Sequence, residues 1–116
     1  MRTRSAARRK GFTLLEIMLV VAIIGMLAAL AIPAIIRART RAARIACIDN
    51  LRQIESAKSQ WAIERKAGMN ALPTDADLFG LGLYLKRKPE CAAGGIYTLE
   101  VVSVPPTCNQ PGHVLN

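Results

Sequence analysis

Twenty consecutive residues without a charged side chain, Ile17 to Ile36, constrain this chain more than any other feature of it. An α-helix rises about 1.5 Å per residue, so a run of that length crosses the roughly 30 Å hydrocarbon core of a bilayer. An arginine-rich segment precedes it, and a mixed polar and apolar chain follows. One carboxylate, Glu16, stands at its entrance, directly after Leu14 and Leu15. A charge on a membrane-buried helix costs up to about 3 kcal/mol at the bilayer centre, and less near its edge, unless something pairs with it.

The string Gly11-Phe12-Thr13-Leu14-Leu15-Glu16, preceded by Arg8-Arg9-Lys10, resembles the processing site of type IV pilins and type II secretion pseudopilins. The resemblance covers residues 8 to 36, with Gly25 and Pro33 falling where such helices carry a glycine and a proline. It implies a basic leader, residues 1–11, removed by a prepilin peptidase that cuts after Gly11 and methylates the new amino terminus on Phe12. It implies that the helix of residues 12–36 first anchors the subunit in the lipid bilayer of the bacterial inner membrane, N-terminus in the cytoplasm and head outside. The same helix then packs with copies of itself and related pilins in an extracellular or periplasmic filament, raised on an inner-membrane assembly platform. Glu16 becomes the assembly residue, its carboxylate pairing with the amine of Phe12 on the neighbouring subunit. A carboxylate near a helix start is also favoured by the macrodipole, by about 0.3–1 kcal/mol, but this does not account for its position after two leucines.

An ordinary secretory signal is the competing reading, because Ala29-Leu30-Ala31 offers an A-x-A site. Its apolar region would normally run about 7–15 residues and carry no carboxylate at its head. Charge leaves the orientation tied, since Arg37, Arg39, Arg41, Arg44 and Arg52 beyond the run balance Arg2, Arg4, Arg8, Arg9 and Lys10 before it; the motif gives N-inside. The formal charge of +8 resembles a nucleic-acid footprint until the leader is set aside, which leaves 11 Lys and Arg against 8 Asp and Glu, a net of +3. The arginines from 37 to 44 have two readings, lipid headgroups or the phosphates of DNA. Positions 37, 39 and 41 do not share a helix face and no aromatic residue interleaves for base stacking, so headgroups are favoured over DNA.

Beyond Ile36 the helical pattern continues. Ala43, Cys47, Leu51, Ile54 and Trp61 follow spacings of 4, 4, 3 and 7 and lie on one stripe, while Ile45 and Ile63 project from another face that suits neighbouring subunits. The pattern predicts one helix from Phe12 to Lys66, stopping at Gly68 beside Asn70, with an amphipathic continuation at 37–67. Pro33 either kinks it or, as the resemblance implies, marks with Gly25 a stretch that loses helix on entry into the filament.

Residues 68–116 form a small C-terminal head, making the class α+β. Thr74 and Asp77 have the spacing of a capping box, which makes Asp75 and Asp77 helix-start residues rather than metal ligands. Leu83-Tyr84-Leu85-Lys86 before Pro89 is similar to a pseudopilin segment. Major pseudopilins bind calcium through acidic loops near the C-terminus; only Glu90 and Glu100 are acidic after Asp77, which weighs against that site. Ile96 to Val104 reads as a strand, bounded by Gly94-Gly95 and Pro105-Pro106, with Val114-Leu115 its weak partner.

Cys47, Cys91 and Cys108 suit an oxidising compartment, although an odd count leaves one over. A Cys91–Cys108 disulfide is expected, closing a loop worth about 3 kcal/mol to a head too small to rest on its core alone, with Cys47 left on the helix. Cys47 paired with either is the rival. His113, the one histidine, reads as a solvated terminal side chain, and a zinc site from Cys47, Cys91, Cys108 and His113 lacks any C-x-x-C or H-x-x-x-H spacing, so no metal and no cofactor are expected. No catalytic constellation is present and the head is too small for a cleft, so no enzyme activity is expected. The reading is a structural filament subunit, with a non-polymerising, single-pass membrane-anchored interaction domain as the alternative.

Overall fold

The computed structural model of the chain describes residues 11–115; of the leader expected at 1–11, all but Gly11 lies outside them. Four elements occur in order: α1 (Leu14–Arg65), α2 (Asp75–Leu78), β1 (Tyr97–Thr98) and β2 (Thr107–Cys108), the α+β arrangement expected from the sequence. The chain divides into two compact units, one ending at Ile36 and the other beginning at Arg37.

In the first unit, Thr13 caps the helix. The Glu16 N–H donates to Thr13 Oγ1 at 3.2 Å and the Ile17 N–H to the Thr13 carbonyl at 3.4 Å, so α1 begins at Leu14, slightly later than expected. Every residue from 14 to 36 is exposed, and the segment is long and apolar enough to cross a membrane. The helix runs through Gly25 and Pro33. The loss of helix that the resemblance attaches to filament entry is not a feature of the lone subunit.

In the second unit, the later part of α1 supplies the core of the head. Cys47, Leu51, Ile54 and Ala57 are buried with Leu78, Cys91, Tyr97 and Leu99, and Trp61, Phe79, Tyr84, Leu85, Cys108 and Leu115 pack around them. Ile45 and Ile63 are exposed on the other face, as their spacing requires. The helix ends in a Schellman motif: Lys66 adopts φ +51°, Ala67 N–H reaches the Ala62 carbonyl at 2.9 Å, and Lys66 N–H reaches Ile63 at 3.4 Å. The left-handed residue is therefore Lys66, not the expected Gly68. At α2 the Asp77 carboxylate accepts from the Thr74 N–H at 2.8 Å and from its hydroxyl at 2.7 Å, which is the helix-start role expected for it. Asp75 lies in the same turn and pairs with Lys88 at 2.9 Å.

The strand expected over 96–104 is only two residues long, and its partner is not Val114-Leu115. Tyr97 pairs with Cys108 and Thr98 with Thr107, antiparallel. The cause is a side chain on α1. Lys58 is 1% exposed, and its ammonium donates to the carbonyls of Leu99 at 2.6 Å, Val101 at 2.8 Å and Val104 at 2.6 Å. Carbonyls alternate sides along a strand, so 99, 101 and 104 converge on one point only if the chain leaves the extended form. Glu100 turns it at φ +56°, and Val104 N–H closes a turn onto the Val101 carbonyl at 3.0 Å. The loop is then tied to the segment after α1, through Val102 N–H to Ala71 and Ser103 N–H to Met69.

Burial pushes the Lys58 pKa down, against the opposing pull of Glu55 and Glu100. Three N–H donors meet three acceptors, so the charged form is the one whose hydrogen bonds are all used. Lys58→Met keeps much of the side-chain bulk but strands three carbonyls. It is expected to destabilise the chain by roughly 3 kcal/mol or more in denaturant unfolding, whereas exposed Lys86→Met is expected to change it by less than about 0.5 kcal/mol.

Candidate functional site

Two places carry chemistry. The first is the segment entering α1. Gly11 and Phe12 precede the helix in irregular backbone and are exposed, Phe12 at 86%, so the peptide between them is accessible to an enzyme. Glu16 lies at the third position of α1, opposite the hydroxyl of Thr13 that its own N–H engages. Thr13-Leu14-Leu15-Glu16 has capping-box spacing, a signal the sequence reading used at Thr74 and missed at this end. Only the hydroxyl half of the box is made. The Glu16 carboxylate is exposed and makes no hydrogen bond or ion pair among the described residues.

The second place lies in the head. Cys47 from α1, Cys91 from the loop before β1, Cys108 from β2 and His113 from the C-terminal tail converge, with their donor atoms all within 4.8 Å of one another. The three cysteines are free thiols, and Cys47 is a full member of the group rather than the bystander expected from the sequence. His113, expected in solvent, is buried, its Nδ1 3.5 Å from Cys91 Sγ. Burial pushes the Cys47 thiol up to about 12 and raises the Tyr97 hydroxyl. Burial acts on Cys91 in the same sense, but the N–H groups of Ala93 and Gly95 and the neighbouring Cys47 and His113 outweigh it and bring Cys91 down to about 6.

Asn50 braces this region, donating to the Glu90 carbonyl at 3.0 Å and to Tyr97 Oη at 3.1 Å. Tyr84 Oη donates to the Glu64 carboxylate on the other side of the head. Sequence spacing could not reveal the cluster, because its members are 44, 17 and 5 residues apart, and only the fold brings them together.

Residues 6–32 match the family described as the prokaryotic N-terminal methylation motif. The type II secretion system core protein G of Klebsiella michiganensis is 31% identical over 103 residues, spanning 78% of this chain and 72% of that protein. The corresponding Klebsiella pneumoniae protein is 31% identical over 104 residues, spanning 79% and 74%. This chain belongs to the type IV pilin and type II secretion pseudopilin family. The type IV major pilin protein PilA of Myxococcus xanthus is 41% identical over 63 residues, but these span 54% of this chain and only 29% of that pilin. No solved structure matches the chain.

In a pilin-family precursor the residue before the cut must let the backbone approach the peptidase closely, and nothing among the described residues lies within 4 Å of a Cβ built on Gly11. A branched side chain would therefore obstruct the enzyme rather than the fold. Gly11→Val is expected to stay at precursor length when co-expressed with a prepilin peptidase, as read by intact mass. A complete shift to the shorter product would remove Gly11 from the processing site.

Proposed function

We propose that this chain is a filament subunit of the type II secretion kind, cut after Gly11, methylated on Phe12, held in the inner membrane and then polymerised. The support for a secretion filament over a pilus is the reach of the similarity. Matches to core protein G extend over 78% of the chain, whereas the match to the pilin extends over 54%. Both kinds of relative are structural subunits, and the non-polymerising anchor is not favoured.

The observation that carries the assembly mechanism is the state of α1 up to Ile36. Its large apolar side chains are all at least half exposed, and its one carboxylate is without a partner among the described residues. Lipid satisfies the apolar surface but not the carboxylate. Cleavage creates a cationic amine at Phe12, close along the chain to Glu16. Within one subunit, the Thr13 cap and the start of the helix hold these residues in fixed register. Pairing between subunits satisfies both charges only at the correct axial step, so one contact favours entry and sets the repeat. Ile45 and Ile63 add a second apolar surface for neighbours.

Glu16→Gln keeps the shape and removes the charge. It is expected to be processed normally yet to be excluded from filaments when it is the only subunit, as read by sheared-filament yield. Wild-type yield would show that the charge is not needed.

A further inference from the structure

The head gathers all three of its cysteines and its only histidine into one point, and nothing in the filament reading uses them. We propose that Cys47, Cys91, Cys108 and His113 form a structural zinc site that ties α1 to the C-terminal tail of the head. Zinc is commonly held by three thiolates and one imidazole in a closed tetrahedron, with Zn–S near 2.3 Å and Zn–N near 2.0–2.1 Å. The edges of that tetrahedron are about 3.8 Å between sulfurs and about 3.6 Å from sulfur to nitrogen. The 3.5 Å from Cys91 Sγ to His113 Nδ1 is already such an edge, and all the other donor pairs lie within 4.8 Å. Metal capture therefore asks for shifts of about 1 Å or less.

Three features around the donors point the same way. The Cys91 carbonyl accepts from Gly94 N–H at 2.9 Å, with Gly94 at φ +80°, so a tight turn follows this donor directly. A tight turn after a cysteine brings the following backbone N–H groups toward the sulfur, where they spread the charge of a ligating thiolate. Gly95 is packed so closely that a Cβ would lie 2.6 Å from Cys108 Sγ, so only glycine lets the two loops close. A Cβ built on Gly112, beside His113, would meet the Arg44 guanidinium at 3.9–4.0 Å, so Arg44 brings a positive charge near a centre whose three thiolates and one zinc ion carry a net −1.

Binding is a proton exchange without electron transfer. Three thiols release their protons to solvent, the imidazole stays neutral, and Zn²⁺ accepts four lone pairs. A disulfide between any two of the thiols is the competing fate, and it leaves the third cysteine without a role. The site uses all three, which removes the difficulty of an odd count in an oxidising compartment. Its ligands come from α1, the loop before β1, β2 and the tail, so the metal cross-links the four segments that define the head.

The test is the metal content of the full processed protein, isolated in detergent without reductant, added metal or a polyhistidine tag. One zinc ion per chain is expected, together with a fall in unfolding temperature on chelation. After exchange with Co²⁺, the visible bands of tetrahedral thiolate coordination are expected. His113→Ala and Cys108→Ser each remove one donor, and each is expected to weaken zinc binding at least about 100-fold, more than the loss of an outer-shell partner. Chelator should then leave their unfolding temperature unchanged. A native protein two mass units light with a mapped Cys–Cys bond, or a metal-free protein indifferent to zinc and chelator, overturns the proposal. If the variants fail to fold, the zinc content of the native chain still decides.

Discussion

The head beyond Arg65 has no core of its own, and the structure depends on α1 supplying one, through the line of Cys47, Leu51, Ile54, Ala57 and Lys58. Everything after the helix is arranged to cover that line. Leu78 from α2, Tyr97 from β1 and Leu99 from the following loop close over it. Regular structure contributes little, since the one sheet has two strands of two residues each. Tertiary contacts to the helix do the work that a larger domain would assign to its own sheet.

Lys58 shows how this is done with polar groups. A loop carrying inward carbonyls at Leu99, Val101 and Val104 has an unmet hydrogen-bonding demand, which a single buried ammonium meets. The C-terminal loop is thus gathered around a cation, and the cation is the chain's own. The cysteine and histidine group does the corresponding job from Cys47, nearer the start of the stripe. Together they fix the head to α1 at two points 11 residues apart, about three turns along the helix.

The unit up to Ile36 has the opposite problem. Its described residues expose their apolar surface and form no core, a surface that lipid or copies of the same helix would cover. The capped entry at Thr13 holds Glu16 at a defined place on the helix without consuming its carboxylate. A subunit whose head is satisfied internally, while its anchor is satisfied only by its surroundings, suits a protein that changes from bilayer to filament.

Much of this was legible in the sequence because it depends on local order. The apolar run, the stripe through Cys47, Leu51, Ile54 and Trp61, and the Thr74–Asp77 cap arise from spacings of a few residues, which helix geometry converts directly into position, whereas the string from Gly11 to Glu16 was legible only through its resemblance to a known family. The interval of seven between Ile54 and Trp61 already contained Lys58 at the correct spacing, but a lysine is not counted as core until its acceptors are known. The acceptors are backbone carbonyls more than 40 residues away, which have no signature in residue identity. For the same reason the pattern of Ile96 to Val104 predicted a long strand, and tertiary hydrogen bonding to one ammonium overrode it. The gathering of Cys47, Cys91, Cys108 and His113 was likewise decided only by the fold. Donors on a helix, a loop, a strand and a tail share no periodicity, and only the closing of the head onto α1 brings them within reach of one another.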